Sequence, residues 1–327
     1  MNKSIAIIGA GQLGSRHLQA LALLQQKAKL FVIDPDDASL KVAKERFEEV
    51  SNHELHECEY LRSLSEIHLH NLDLVVVATN AGRRSIVITE LLSRIKVKFL
   101  ILEKFLFQSE IEYRETEKLI SESGTKCYVN CPRRAFSSYN RVKEILSSDE
   151  SDYLKLEIVG NNWGLGCNGI HFVDLYHFLT NEIIEDYDNG LDSGYLDSKR
   201  SGYIDFTGEL SSAGKNQRLV LTSFKEGEPN VSIRITKPMI RLVINETAGK
   251  TWIEKMEENL WVVDEIPFQM EYQSQLTNGI AEDLFANGKC KLTSLNESIA
   301  MHLPFLRTLL AHYNDSNSES RTVCPIT

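Results

Sequence analysis

The sequence predicts an α/β protein, with a doubly wound parallel sheet first and an antiparallel-sheet unit second. Two patterns carry that prediction. Through roughly the first 130 residues, short apolar runs alternate with amphipathic segments at helical spacing, which is the βαβ order of a parallel sheet. After Pro132 the runs alternate apolar and polar residues, with Gly, Asn or Pro in the gaps, as in an antiparallel sheet with one covered face. The length, 327 residues, allows roughly two domains at about 150 residues each. The divisions expected are 1–130 and 131–327.

The elements follow in order. Ile5–Gly9 is a first strand ending in glycine, and Leu13–Lys27 is a helix with Leu13, Leu18, Leu21 and Leu24 at helical spacing. Leu30–Asp34 is the next strand, closed by Asp34-Pro35-Asp36-Asp37, and Ala38–Val50 reads as a charged surface helix. Asp73–Thr79 and Val97–Glu103 are continuous apolar runs suited to strands buried on both faces, with a helix over Ser85–Arg94 between them. Ser109 and Glu112 have capping-box spacing for a helix to Ser123, Gly124 stands at its C-cap, and Lys126–Asn130 is the last strand of the first half. In the second half helices are expected over Ser138–Ser148, Ile170–Leu179 and Ser294–Tyr313. Strands are expected over Tyr153–Gly160, Tyr203–Leu210, Gln217–Phe224, Val231–Thr236, Ile240–Glu246, Thr251–Met256 and Leu260–Asp264. The polar tail Asn314–Arg321 is expected to be loose.

Composition narrows the function classes. Hydrophobic residues make up 42% and charged residues 25%, which excludes a disordered or fibrous chain. A net charge of −10 argues against nucleic acid or an anionic membrane as the main partner. The six cysteines show no C-x-x-C spacing and no apolar run approaches the ~18 residues of a membrane span. The N-terminal stretch is apolar only from Ile5 to Ile8, too short for a signal peptide, so a cytoplasmic location is expected.

Gly9-Ala10-Gly11-Gln12-Leu13-Gly14 is G-x-G-x-x-G, placed after a strand and opening a helix. In that context it reads as a dinucleotide-binding turn: Gly9 for the tight bend, Gly11 for close backbone approach to a diphosphate, Gly14 for helix–strand packing. The helix N-terminus then faces the diphosphate. Asp34 ends the second strand twenty residues after Gly14, where a carboxylate accepts from a ribose diol. No Lys or Arg follows until Lys41, so a 2′-phosphate would meet Asp34, Asp36 and Asp37. NAD is therefore expected rather than NADP, in a Rossmann domain.

With these residues in place, the chain resembles the Gfo/Idh/MocA family of sugar and cyclitol oxidoreductases over nearly its whole length. The ordered motifs are GAGQLGSRH at 9–17, Ala78-Thr79-Asn80, Glu103-Lys104-Phe105, VNCPRRAF at 129–136, Gly169-x-His171-x-x-Asp174 and the closing segment 292–310. The resemblance implies a second α/β domain with a large, open, mostly antiparallel sheet, and homodimers or homotetramers packed through it. It implies cofactor contacts from Gly9, Gly11, Gln12, Leu13, Gly14, Asp34, Thr79, Asn80, Glu103 and Lys104, and no metal. It also implies hydride transfer between the nicotinamide and a secondary hydroxyl of a sugar or nucleotide-activated sugar. Lys104, at the C-terminal end of a buried strand, would hold the oxygen; His171 would take the hydroxyl proton, and Asp174 one helical turn on would orient the ring. Two further readings remain: an enzyme that oxidises transiently, such as an epimerase, lyase or glycosidase, and a non-catalytic regulator of the same fold.

Several positions depart from the family pattern. Cys167 and Asn168 stand where many members carry an Asp four residues before the His. Phe105 replaces a Pro that often supports a cis bond; a cis bond to a non-proline residue is costly, so trans is expected. Asn80 also stands where Pro is frequent, and Arg84 where His is. The segment Gly160–Gly166, with Asn162 and Trp163, reads equally as a sugar-binding wall, extended by Asn168, or as a bulged strand end. Arg133, Arg134 and Arg141 would meet a substrate phosphate or carboxylate, or pair with local acids. His53, His56, Cys58, His68 and His70 have no metal-site spacing and read as surface and loop residues.

Overall fold

The computed structural model describes residues 2–212, 214, 216–317 and 320–327. The chain forms two compact units. The first comprises residues 1–132, 271–297 and 327; the second comprises 133–270 and 298–326.

In the first unit the elements run β1 (Lys3–Ile8), α1 (Gln12–Leu21), β2 (Ala28–Ile33), α2 (Asp37–Glu48), β3 (Glu57–Leu61), β4 (Asn71–Val77), α3 (Ala81–Arg94), β5 (Lys96–Glu103), α4 (Glu110–Ser123) and β6 (Lys126–Asn130). These six strands lie in the order β6-β5-β4-β1-β2-β3 and are all parallel. This is the doubly wound arrangement expected of a Rossmann sheet, with its order reversing between β1 and β4. Ile5, Ile7, Leu74, Val76, Phe99 and Ile101 form its core with Leu18 and Leu21 of α1.

Several elements differ from expectation. The strand β3 lacks a hydrophobic run because it lies at the sheet edge, where Glu57 and Glu59 pair with Lys27 and Lys29. The first helix ends at Leu21, well short of Lys27. Helix α3 starts at Ala81 rather than Ser85, with Asn80 as its N-cap and the Thr327 hydroxyl accepting from the Ala81 N–H. Ser109 makes no side-chain cap to the α4 backbone; its hydroxyl donates to Glu112 instead, while Gly124 takes the left-handed C-cap expected. A further helix later in the chain, Gln273–Asn287, joins the first unit and buries Ile280, Ala281 and Leu284 in its core. It escaped the sequence reading because Asn278-Gly279 interrupts the Leu276, Ile280, Leu284 spacing with a turn signal.

The second unit continues with α5 (Ser137–Leu146), β7 (Leu154–Asn161), α6 (Leu165–Thr180), β8 (Tyr187–Leu191), β9 (Leu196–Asp197), β10 (Ile204–Asp205), β11 (Gly208–Ser212), β12 (Gln217–Phe224), β13 (Asn230–Thr236), β14 (Ile240–Asn245), β15 (Lys250–Glu257) and β16 (Leu260–Pro267). In chain order, Gln273–Asn287 is α7; β17 (Thr293–Ser294) pairs antiparallel with β6 in the first unit, and α8 (Leu295–Asn317) belongs to the second unit from Ser298 on. The eight-stranded sheet has the order β16-β15-β14-β13-β7-β12-β11-β8 and is antiparallel except between β7 and β12. The expected strand Tyr203–Leu210 is broken into β10 and β11, and β8 and β9 were not anticipated. Helix α6 begins five residues earlier than expected, which moves His171 from a helix start into its second turn. The tail is tighter than expected: α8 extends to Asn317, and the Asn314 side-chain Oδ1 accepts from the Arg321 N–H. Residues 318 and 319 of that segment lie outside the described residues. Among the described residues, no helix is long and apolar enough to cross a membrane.

Candidate functional site

The glycine turn connects β1 to α1. Gly9 has φ +94°, and a Cβ there would press on Ala78 and Thr79 at 3.0 Å. A Cβ on Gly14 would lie 1.7 Å from the Gly9 carbonyl oxygen, so the close helix–strand approach requires glycine. At Gly11, by contrast, a Cβ would meet nothing within 4 Å. That position faces open space, as a backbone receiving a diphosphate must. No side chain caps α1 and its first turn carries no acid, so no side chain of the helix itself offsets its positive end.

Asp34 follows β2 directly. Its Oδ2 accepts from the Ala10 N–H at 2.7 Å and its Oδ1 from the Asp36 N–H at 2.9 Å. A carboxylate oxygen has two lone pairs, so each retains one acceptor site for a hydroxyl. Asp36 caps α2, and the Ser39 hydroxyl together with the Ser39 and Ala38 N–H groups holds its carboxyl below the usual range. Thr79 follows β4, beside Gly9, and its buried Oγ1 makes no hydrogen bond among the described residues. An orphaned hydroxyl beside a glycine turn with an open face fits a bound dinucleotide.

Glu103 and Lys104 end β5. Glu103, expected near the cofactor, is turned inward instead: His17 Nε2 meets its Oε1 at 2.8 Å, and the Asn130 amide donates to the same oxygen. Burial raises the Glu103 carboxyl, but the bond to His17, its charge and the Asn130 bond outweigh this and hold it low. His17 Nδ1 meets Thr277 Oγ1 of α7 at 2.8 Å, so this polar network ties α1, β5, β6 and α7 together. Lys104 is half-buried at the strand end. The peptide bond from Lys104 to Phe105 is cis, against the expectation of trans. The wholly buried Arg84 of α3 surrounds this turn with donors: its guanidinium bonds the carbonyls of Phe105, Leu106 and Thr79. Sequence reasoning noted Arg84 only as a departure; its spacing carries no sign of what it holds.

In the second unit, His171 is half-buried on α6. Asp174, expected to orient His171, accepts from Arg134 Nε at 2.9 Å and is almost fully buried. Arg133, expected at the substrate, forms a bidentate pair with Glu246 at 2.8 Å and stacks on Phe172 at 4.2 Å. Tyr139 also donates to Glu246. Burial raises the Glu246 carboxyl, but Arg133 and Tyr139 hold it below the usual range. Both arginines therefore spend their charge on local acids. Trp163 is buried, donates to the Thr222 carbonyl at 2.8 Å and packs edge-on against Phe172. The Asn168 amide turns back to the Trp163 carbonyl, leaving Asn162 as the exposed one of these three residues. The segment is the turn that connects β7 to α6. His53 and His56 bond backbone carbonyls of Val50 and Ala22.

Residues 5–126 match the TrkA-N domain family. No curated protein matches the sequence. Three solved structures are similar along almost the whole chain. An oxidoreductase from Agrobacterium radiobacter, in complex with NAD+, L-tartaric acid and magnesium, is 14% identical with a TM-score of 0.70, covering 99% of this chain and 98% of that one. GenD2 from gentamicin A biosynthesis, in complex with NAD, is 13% identical with a TM-score of 0.70, covering 98% and 95%. The transcriptional regulator Gal80p from Kluyveromyces lactis is 14% identical with a TM-score of 0.71, covering 96% and 90%. At these identities the likeness is one of fold. It is the architecture that the Gfo/Idh/MocA resemblance implies: a parallel Rossmann sheet and a second, largely antiparallel one.

Proposed function

We propose that this protein is an NAD-dependent oxidoreductase acting on a secondary hydroxyl or keto group of a sugar or related polyol. The observation that carries the reading is the glycine turn, with Gly11 facing open space, Asp34 tied to Ala10 and the Thr79 hydroxyl without a partner among the described residues. The turn and the first-turn N–H groups of α1 would hold a diphosphate, and Asp34 the ribose diol. Asp34, Asp36 and Asp37 would repel a 2′-phosphate. When bound, NAD supplies a hydride acceptor or donor. Two solved structures with this fold contain NAD, which supports the choice.

The roles of Lys104 and His171 rest on the resemblance. The Lys104 ammonium would hydrogen-bond the reacting oxygen and stabilise its developing charge. The His171 imidazole would take the hydroxyl proton in oxidation and return it in reduction. With Arg133 and Arg134 neutralised, nothing found on their side chains favours an anionic substrate over a neutral sugar. The edge strand β16 exposes Leu260, Trp261, Val262 and Val263, which supports a homodimer or homotetramer through the open sheet.

An absorbance assay for NADH against a panel of sugars, polyols and sugar acids tests the reading. Turnover with one class, lost by at least about a hundredfold in Lys104→Ala and His171→Ala, is the expected result. A regulator is the second reading, because a transcriptional regulator has this fold. It predicts ligand binding without turnover, unaffected by Lys104→Ala.

A further inference from the structure

Resting on the dinucleotide reading, we infer that Arg46 is a positioning residue for the diphosphate: it fixes the Gln12 amide with its NH2 group outward and sets an unneutralised positive charge beside the glycine turn.

Arg46 lies on α2, half-buried, and reaches the first turn of α1. Its Nη2 donates to Gln12 Oε1 at 2.8 Å, and its Nη1 donates to the Gln12 carbonyl at 3.3 Å and to Ser15 Oγ. Ser15 Oγ in turn donates to the Gly11 carbonyl at 2.8 Å. A guanidinium has donors only, so it must face the amide oxygen of Gln12. The amide NH2 is thereby directed away from Arg46, and it donates to no described residue. Polarised by a cation on its oxygen, that NH2 is a stronger donor than a freely rotating glutamine.

The charge itself is not cancelled. Among the described residues no carboxylate lies within salt-bridge distance of Arg46, although Arg133 and Arg134 each have one. The first turn of α1 carries no acid either. Three features thus favour an anion at this turn: the helix end, a directed amide donor and an unpaired guanidinium. Asp34, bonded to the Ala10 N–H, acts against a phosphate on the ribose.

The test is NADH affinity, by fluorescence or calorimetric titration, for wild type, Arg46→Met, Arg46→Lys, Gln12→Ala and the double variant Gln12→Ala/Arg46→Met. Arg46→Met should weaken NADH binding about tenfold at low salt, with the difference shrinking in 0.5 M salt as the charge contribution is screened. Arg46→Lys should recover part of the loss, because it restores the charge but not the fork. In the Gln12→Ala background the loss from Arg46→Met should fall well below tenfold, since the two residues act together. Binding by Arg46→Met equal to wild type overturns the inference and leaves the dinucleotide reading intact. So does a loss that is the same at all salt concentrations and undiminished in Gln12→Ala, which marks a structural role alone. If the wild-type protein, freed of bound nucleotide, does not bind NADH, the dinucleotide reading itself falls.

Discussion

The Asp34 carboxylate accepts a hydrogen bond from the backbone N–H of Ala10 at 2.7 Å, joining the end of β2 to the glycine turn after β1. One side chain thus shapes the turn and, in the proposed function, reads the ribose. Asp34→Ala should lower stability by about 1–2 kcal/mol, by leaving Ala10 without its acceptor. It should weaken NADH binding more than it weakens NADPH binding, narrowing the preference between them. Thermal unfolding and parallel titrations with both nucleotides check this.

The glycines of the turn should separate folding from binding. Gly14→Ala drives a Cβ into the Gly9 carbonyl, so it should sharply reduce soluble, folded protein. Gly11→Ala meets open space at φ −61°, so its thermal midpoint should stay near wild type while NADH affinity falls by about tenfold or more. Circular dichroism melting together with nucleotide titration distinguishes the two outcomes.

Arg84 should matter more to the fold than its departure from the family pattern suggests. Arg84→Met strips donors from the carbonyls of Thr79, Phe105 and Leu106 in the interior, and should cost about 3 kcal/mol or more. Arg84→Lys should recover only part, because a single ammonium cannot span both loops. Denaturant midpoints for the three proteins measure this.

The Arg133–Glu246 pair should make the second unit acid-sensitive. The folded Glu246 carboxyl is held below its unfolded value of about 4.3, so the unfolded chain takes up the proton first. Its contribution is then complete above about pH 5 and is lost as pH falls through the folded value. Glu246→Gln should therefore destabilise the protein at pH 7, with the difference from wild type narrowing as the pH is lowered toward 3. Urea midpoints across that range provide the check.

Much of the architecture was legible because its signals are local. The continuous run Asp73–Thr79 could only be a buried strand, and Gly9, Gly11 and Gly14 with Asp34 twenty residues on define the turn. The edge strand β3 was not legible, because a strand paired on one side tolerates the charges of Glu57 and Glu59. Helix α7 was hidden by Asn278-Gly279. The side-chain partners of the arginines were hidden for a different reason. Arg133 and Glu246 are 113 residues apart, and Arg134 and Asp174 are 40 apart. No spacing rule reports such pairs, so the sequence left an anion site and local ion pairs open for these arginines, and Arg133 and Arg134 form ion pairs. The two readings of Trp163 could not be separated in the sequence for the same reason: its indole N–H finds the Thr222 carbonyl, on a strand that pairs with β7.

The dinucleotide site is tested most directly by the thermal midpoint of nucleotide-free protein with and without NADH and NADPH. A ligand at a hundred times its dissociation constant adds about 2.7 kcal/mol, which should raise the midpoint by several degrees. With Asp34 at the ribose, NADH should give such a rise and NADPH little or none. An equal or larger rise with NADPH would contradict the role given to Asp34, and no rise with either nucleotide would contradict the dinucleotide site itself.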